Sequence, residues 1–259
     1  MTINSHELVN FISAYFWPFV RISTVLMAAP VYGAVTVVPV KIRLILALAI
    51  TFVAVPFIPA TPYIDPLSAT GLLVLLQQIL LGLAMGFLLQ LAFASLSLGG
   101  SSISMPMGLG FANMVDPVNG VQVPVLSTLF TVLGTLMFLA ADVHLILIQV
   151  VVDSFRTIPV GPVGLSQDSI LKIALWGGKI FMGGILIALP AIMIITLINI
   201  AFGVMTKAAP QLNIFAVGFP TTMMAGFLVI YLTLPSLLPR FMEMIQQAFD
   251  TMHLIMGVS

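Results

Sequence analysis

Residues 66–115 form a run of fifty positions without a formal charge, and residues 208–239 form a second run of thirty-two. A helix that crosses a bilayer needs about 20 predominantly apolar residues. Either run is long enough for that and too long to wrap around a water-facing surface. Composition agrees: 61% of the 259 residues are apolar and 6% are charged, against about 25% charged in an ordinary soluble domain. The chain is therefore expected to be an all-α, polytopic integral membrane protein, organised as one domain over residues 1–259.

The charges that remain exclude several classes of function. Eight Lys and Arg balance eight Asp and Glu, so the chain offers no basic field for nucleic acid. The absence of cysteine removes disulfides, thiolate catalysis and thiolate metal sites. A cleavable secretory signal would want a positively charged start. The first ten residues, MTINSHELVN, have no Lys or Arg, so the N-terminal helix is expected to be retained.

Six hydrophobic stretches can be drawn, at 8–31, 42–60, 71–98, 123–152, 170–205 and 212–238. Several fit a simple span poorly. Residues 71–98 would make a helix of about 42 Å at 1.5 Å per residue, longer than a hydrocarbon core of about 30 Å. The 170–205 stretch is longer still and contains Pro190, which is expected to kink it. Asp142 and His144 are expected to mark a turn within 123–152, and PFIPATPYIDP at 56–66 must be a loop. Lys41, Arg43 and Lys207 would place two connections in the cytoplasm. Arg156 and Arg240 argue for the other side, so the orientation stays open.

Catalytic chemistry finds no footing. The histidines His6, His144 and His253 are far apart in sequence and lie in no metal-ligand spacing. Asp142 and His144, about 200° apart around a helix, could not share a ligand there. No nucleophile elbow or phosphate loop is present. No catalytic residue, metal site or cofactor is expected. The rival class is a small secondary transporter of an ion or solute, which would place ionisable groups at mid-membrane. Arg21, in YFWPFVRIST, is the clearest intramembrane charge. It is expected to snorkel or to pair with a neighbouring helix or subunit. No carboxylate cluster suggesting a proton relay accompanies it.

Packing signals are clearer. Gly82 and Gly86 form a small-xxx-small pair in LLGLAMGFLL, which lets two helix backbones approach closely. Gln77, Gln78, Gln90 and Asn199 interrupt apolar stretches, and such amides bond across helices. In the C-terminal piece 240–257, Phe241, Ile245, Phe249, Met252 and Met256 recur at helical spacing, as in an amphipathic helix at an interface. The region 98–122 is rich in Gly and Met and lies between greasy runs. Irregular backbone at membrane depth must be wrapped in protein or line a water-filled path. Glycine permits sharp reversals, while Met and Phe make a soft plug that repacks easily.

Three segments in order, YFWPFVRIS, MGLGFANMVDPVNGVQVPVL and APQLNIFAVGFP, resemble the FliR family of flagellar biosynthetic proteins, part of the bacterial type III export apparatus. The resemblance runs from Phe16 to the C-terminal piece. It implies a subunit of an inner-membrane export gate at the flagellar basal body, assembled with FliP and FliQ into a helical funnel of long, kinked helices. Much of that funnel would project toward the periplasm. It also implies FlhB and FlhA as neighbours, unfolded flagellar proteins as cargo, and no nucleic acid. Carried onto this chain, the family's plug falls on Met105, Met107, Gly108, Gly110, Phe111, Asn113, Met114 and Asp116. The glycines would shape the loop, Met and Phe would seal the channel, and Asp116 with Pro117 would anchor the exit.

Overall fold

In the computed structural model, the described residues are 5–33, 38–66, 68–109, 124–162, 164–209 and 214–257. Every regular element among them is helical. The order is α1 (Ser5–Ala28), α2 (Pro30–Gly33), α3 (Val40–Ala54) running into a 3-10 turn (Val55–Phe57), α4 (Ala69–Ser104), α5 (Val125–Ala140), α6 (Val143–Thr157), α7 (Gln167–Trp176), α8 (Gly178–Ala208) and α9 (Ile214–Ile255). Four stretches are long and apolar enough to cross a membrane: Val40–Phe57, Ala69–Ser104, Gln167–Ala208 and Ala216–Ile255. Helices α5 and α6 make a fifth only as a bent pair, turning through 68° at the break between them.

That break sits where Asp142 and His144 were expected to turn the chain. Asp142 adopts the left-handed conformation, with φ of 55°, the one non-glycine residue to do so among the described residues. Aspartate tolerates this region better than most residues. Its carbonyl then accepts from the Leu145 N–H at 2.9 Å, which starts α6.

The long helices follow from what they lack. Over 36 residues α4 has no proline and no charge, and at 1.5 Å per residue it extends about 54 Å. It ends at Ser104, where Pro106 disfavours a helical Met105. The chain stays helical through Gly99 and Gly100, so the irregular segment starts at Met105 and not at 98. Glycine serves a different purpose there: a Cβ on Gly100 would stand 2.6 Å from the Ser127 backbone nitrogen, so the two helices meet backbone to backbone. Helix α8 runs unbroken past Pro190, and the apolar stretch divides instead at Gly177, between α7 and α8. Helix α9 continues past Pro220, Pro235 and Pro239. The C-terminal piece is thus the end of α9 and not a helix of its own.

The chain divides into two compact units, each with its own core. The first comprises Met1–Leu91, Phe138–Trp176 and Gln247–Ser259. Its interior includes Trp17, Leu26, Ala47, Leu81, Leu147 and Phe155. Helix α3 buries Arg43, Ala47, Thr51 and Ala54, a stripe at helical spacing, and leaves Ile45, Leu48, Phe52 and Val53 exposed. Helices α1 and α4 meet at the paired glycines. A Cβ on Gly82 would collide with Thr24 Oγ1, and one on Gly86 would stand 2.5 Å from the Ala28 Cβ. Phe249, Met252 and Met256, the last part of the C-terminal stripe, are buried in this unit.

The second unit comprises Ala92–Met137 and Gly177–Gln246. Phe93 and Phe241 meet edge to face at 5.1 Å, and Ser95 donates to the Met244 sulfur at 3.0 Å. Gly183 faces Met244, and Gly184 faces Leu98. Ser127 Oγ donates to the Ser97 carbonyl at 2.7 Å, next to the close approach at Gly100. Phe241 and Ile245, the first part of the C-terminal stripe, are buried here. The apolar stripe expected to lie on an interface is therefore covered by the chain itself.

Candidate functional site

Of the expected plug residues, Met105, Met107 and Gly108 are described, whereas Gly110, Phe111, Asn113, Met114 and Asp116 lie outside the described residues. The three sit on a turn that follows α4 in the second unit. The Gly108 N–H donates to the Met105 carbonyl at 3.1 Å. Gly108 itself has φ of +81°, a conformation that a side chain would strain. The two methionines behave oppositely. Met105 is 72% exposed, whereas Met107 is 0% exposed. Met107 fills a notch over Gly226 of α9, where an added Cβ would stand 2.6 Å from its Cγ, Sδ and Cε. The Phe219 ring lies over Gly108, 2.7 Å from where a Cβ would be. The turn at 105–108 is thus seated against α9 by two contacts that only glycine permits.

Arg21 lies in the first unit and is 0% exposed. Its Nε donates to Gln78 Oε1 at 2.8 Å. Its Nη1 donates to the Ser154 carbonyl and to Ser154 Oγ, both at 3.0 Å, and its Nη2 donates to the Ile158 carbonyl at 2.9 Å. The guanidinium lies 4.0 Å from the centre of the Phe155 ring. Ser154 and Ile158 belong to the C-terminal end of α6, where unsatisfied carbonyls concentrate partial negative charge. Arg21 therefore caps a helix from another part of the chain, and helix carbonyls and an aromatic face stand where a carboxylate would. Arg156 and Asp153, one helical turn apart on α6, form an exposed ion pair at 3.6 Å.

Among the described residues no cluster of three or more His, Asp or Glu could hold a metal ion. The first unit carries an open apolar groove of about 840 Å³ lined by Leu80, Leu83, Phe87 and Ile170, with Gln77 and Gln90 as its polar members. No titratable side chain lines it. Gln78, Ser154 and Phe155 were not singled out as partners of Arg21, and Gly226 not at all. Only Gln78 had a signal, as an amide inside an apolar stretch.

Comparison with known proteins decides the family. Residues 12–248 match the model of bacterial export proteins, family 1. The chain belongs to that family. Among its relatives, flagellar biosynthetic protein FliR of Pectobacterium carotovorum subsp. carotovorum is 38% identical over 253 residues, covering 96% of this chain and 95% of the relative. FliR of Escherichia coli (strain K12) is 35% identical over 250 residues, with the same coverage. FliR of Aquifex aeolicus (strain VF5) is 32% identical over 234 residues, covering 90% of this chain and 88% of the relative. A bacterial export protein of family 1 thus has here a turn seated on α9 in one unit and a buried, helix-capping arginine in the other.

Proposed function

We propose that this chain is a subunit of the flagellar type III protein export gate in the bacterial inner membrane, where it forms with FliP and FliQ the channel for unfolded flagellar proteins. FlhB and FlhA would be its neighbours. The observation that carries this reading is similarity along nearly the whole chain to proteins named FliR. The chemistry is compatible with it. The one deeply buried cation in the first apolar helix is occupied in capping α6, which leaves it no role in moving a solute. Long helices with exposed Leu, Ile and Phe side chains are suited to contact with companion chains as well as with lipid. Met107 and Gly108 would hold the stem of a plug whose remaining residues close the conduit, and no step of the chain's own chemistry is required.

The test is electrical. In the assembled complex, deletion of residues 106–115 is expected to raise ion conductance across the membrane. If leak is unchanged while export continues, the sealing role is wrong. Expression without FliP and FliQ is expected to give poor recovery of the chain, and a stable, solute-moving monomer would refute the gate reading itself.

A further inference from the structure

Helix α3 begins with the wrong electrostatics for a helix. Pro39 stands at its cap with no side-chain hydrogen bond, and its first turn has no acidic residue. That turn carries Lys41 and Arg43 instead, although cations are disfavoured at the positive end of the helix dipole. The first intrahelical bonds run from the N–H groups of Ile42 and Arg43 to the Pro39 carbonyl, at 3.0 and 3.2 Å. The N–H groups of Val40 and Lys41 therefore have no acceptor within the helix. This end is open, with Val40 43% exposed and Lys41 exposed.

Arg43 supplies an independent sign. It is 4% exposed, and its Nε donates to the Val38 carbonyl at 2.8 Å. Val38 precedes the helix, so the guanidinium is folded back toward the helix start, the direction in which helical side chains lean. Its Nη2 is buried and has no hydrogen-bond partner among the described residues. A buried charged donor without an acceptor is costly, and this one belongs to a side chain folded toward the end of α3 at which the Val40 and Lys41 N–H groups are left over.

From this we infer that the start of α3 is a binding site for the phosphate of an anionic phospholipid. A phosphate brings negative charge and several acceptor oxygens, which suits a guanidinium fork and the N–H groups of a helix start. Arg43 and the Val40 and Lys41 N–H groups hold it, with the Lys41 ammonium at the rim. Lipid is the source favoured by the helix itself. Val40–Phe57 is 18 residues long and apolar enough to cross a membrane. At 1.5 Å per residue it covers about 27 Å, close to the thickness of a hydrocarbon core. Its first turn then lies at headgroup depth, where basic residues meet anionic lipid. Exposed Ile45, Leu48 and Phe52 continue from there as a surface for an acyl chain.

The test uses the full chain in its co-purified complex, reconstituted from phosphatidylethanolamine with phosphatidylglycerol and, separately, from phosphatidylethanolamine alone. Native mass spectrometry then counts the phosphatidylglycerol retained. Arg43→Gln is expected to lower retention about tenfold, with Arg43→Lys intermediate and free inorganic phosphate unable to displace the lipid. Equal retention by the wild type and Arg43→Gln overturns the proposal. So does displacement by inorganic phosphate, which would mark an anion pocket unrelated to the bilayer. Unchanged lipid retention with poor recovery of the complex would assign Arg43 to an acidic side chain on a neighbouring chain, and that too overturns it. Should Arg43→Gln fail to fold, the exposed Lys41→Gln decides the matter: weakened retention with normal elution supports the site, and unchanged retention ends it.

Discussion

Arg21 shows how a fully buried cation can be settled by neutral acceptors. Its three nitrogens reach a side-chain amide, a hydroxyl and two backbone carbonyls, and Phe155 covers one face. The planar fork is what makes this possible, because it presents donors along several fixed directions. Arg21→Met would strand Gln78 Oε1 and the Ile158 carbonyl, which have no other donor among the described residues, whereas the Ser154 carbonyl keeps the Ile158 N–H at 2.9 Å; the cost is about 3 kcal/mol. Arg21→Lys keeps the charge but cannot reach all these acceptors, so about half that loss is expected. Thermal unfolding of the purified complex measures both, and an unshifted midpoint in Arg21→Met would show that the cap contributes nothing. In the sequence, the oddity of Arg21 was legible as a lone charge among YFWPFV, and Gln78 was visible as an out-of-place amide. Ser154 and Ile158 were not. They lie 133 and 137 residues away, and a carbonyl leaves no mark on sequence.

At the level of elements, hydrophobic runs read well and glycines read badly. Runs without charge gave most of the helices, and the turn at Asp142 followed from a polar pair inside an apolar stretch. Gly99 and Gly100 suggested a loop, because the same residue serves reversals and close packing alike. What decides between them is the neighbour across the contact, and that neighbour is distant in sequence. The distinction has measurable consequences. At Gly100 a Cβ would meet the backbone of Leu126 and Ser127 at 2.6–2.7 Å, which cannot yield without separating α4 from α5. At Gly226 it would meet the Met107 side chain at Cγ, Sδ and Cε, which can repack by changing rotamer where a backbone cannot. Gly100→Ala is therefore expected to destabilise by about 2 kcal/mol or more, in the range of overpacked cores, and Gly226→Ala by less than about 1 kcal/mol. Comparing protease resistance of the two variants in detergent checks the order, and equal sensitivity would contradict it.

For the whole molecule, the decisive property is how much apolar surface the chain leaves uncovered. Leu72, Leu76, Leu80, Phe181, Leu197 and Tyr231 are all exposed on helices long enough to cross a membrane. A bilayer can cover some of this, but α4 and α9 exceed its thickness by about 20–30 Å at 1.5 Å per residue. The excess length of α4 was legible in the sequence as a stretch too long for one span; that of α9 was not, because its last turns read as a separate amphipathic piece, and the surfaces that companion chains would take were not legible either. Gly86 bears on assembly through the fold of this chain. Its contact is with Ala28 at the end of α1 and with Ala29 just after it, so Gly86→Leu pushes α1 away from α4 and distorts the outer faces of both. In the assembly proposed above, recovery of FliP and FliQ with the tagged variant is expected to fall several-fold, the scale of a penalty of about 1–3 kcal/mol for overpacking. Normal recovery would mean that these faces take no part in assembly.

The seat of Met107 over Gly226 has a practical sequel. The chain contains no cysteine, so any thiol placed in it has no native rival. The Gly226 Cβ position lies 2.6 Å from Met107 Cγ, within reach of the roughly 4 Å Cβ separation that a disulfide requires. Met107→Cys combined with Gly226→Cys is expected to close into a staple that a reductant releases, visible as a reversible shift in gel mobility after cleavage between the two positions. Fastened and unfastened at will, the joint would reveal whether export proceeds while the turn after α4 stays clamped to α9.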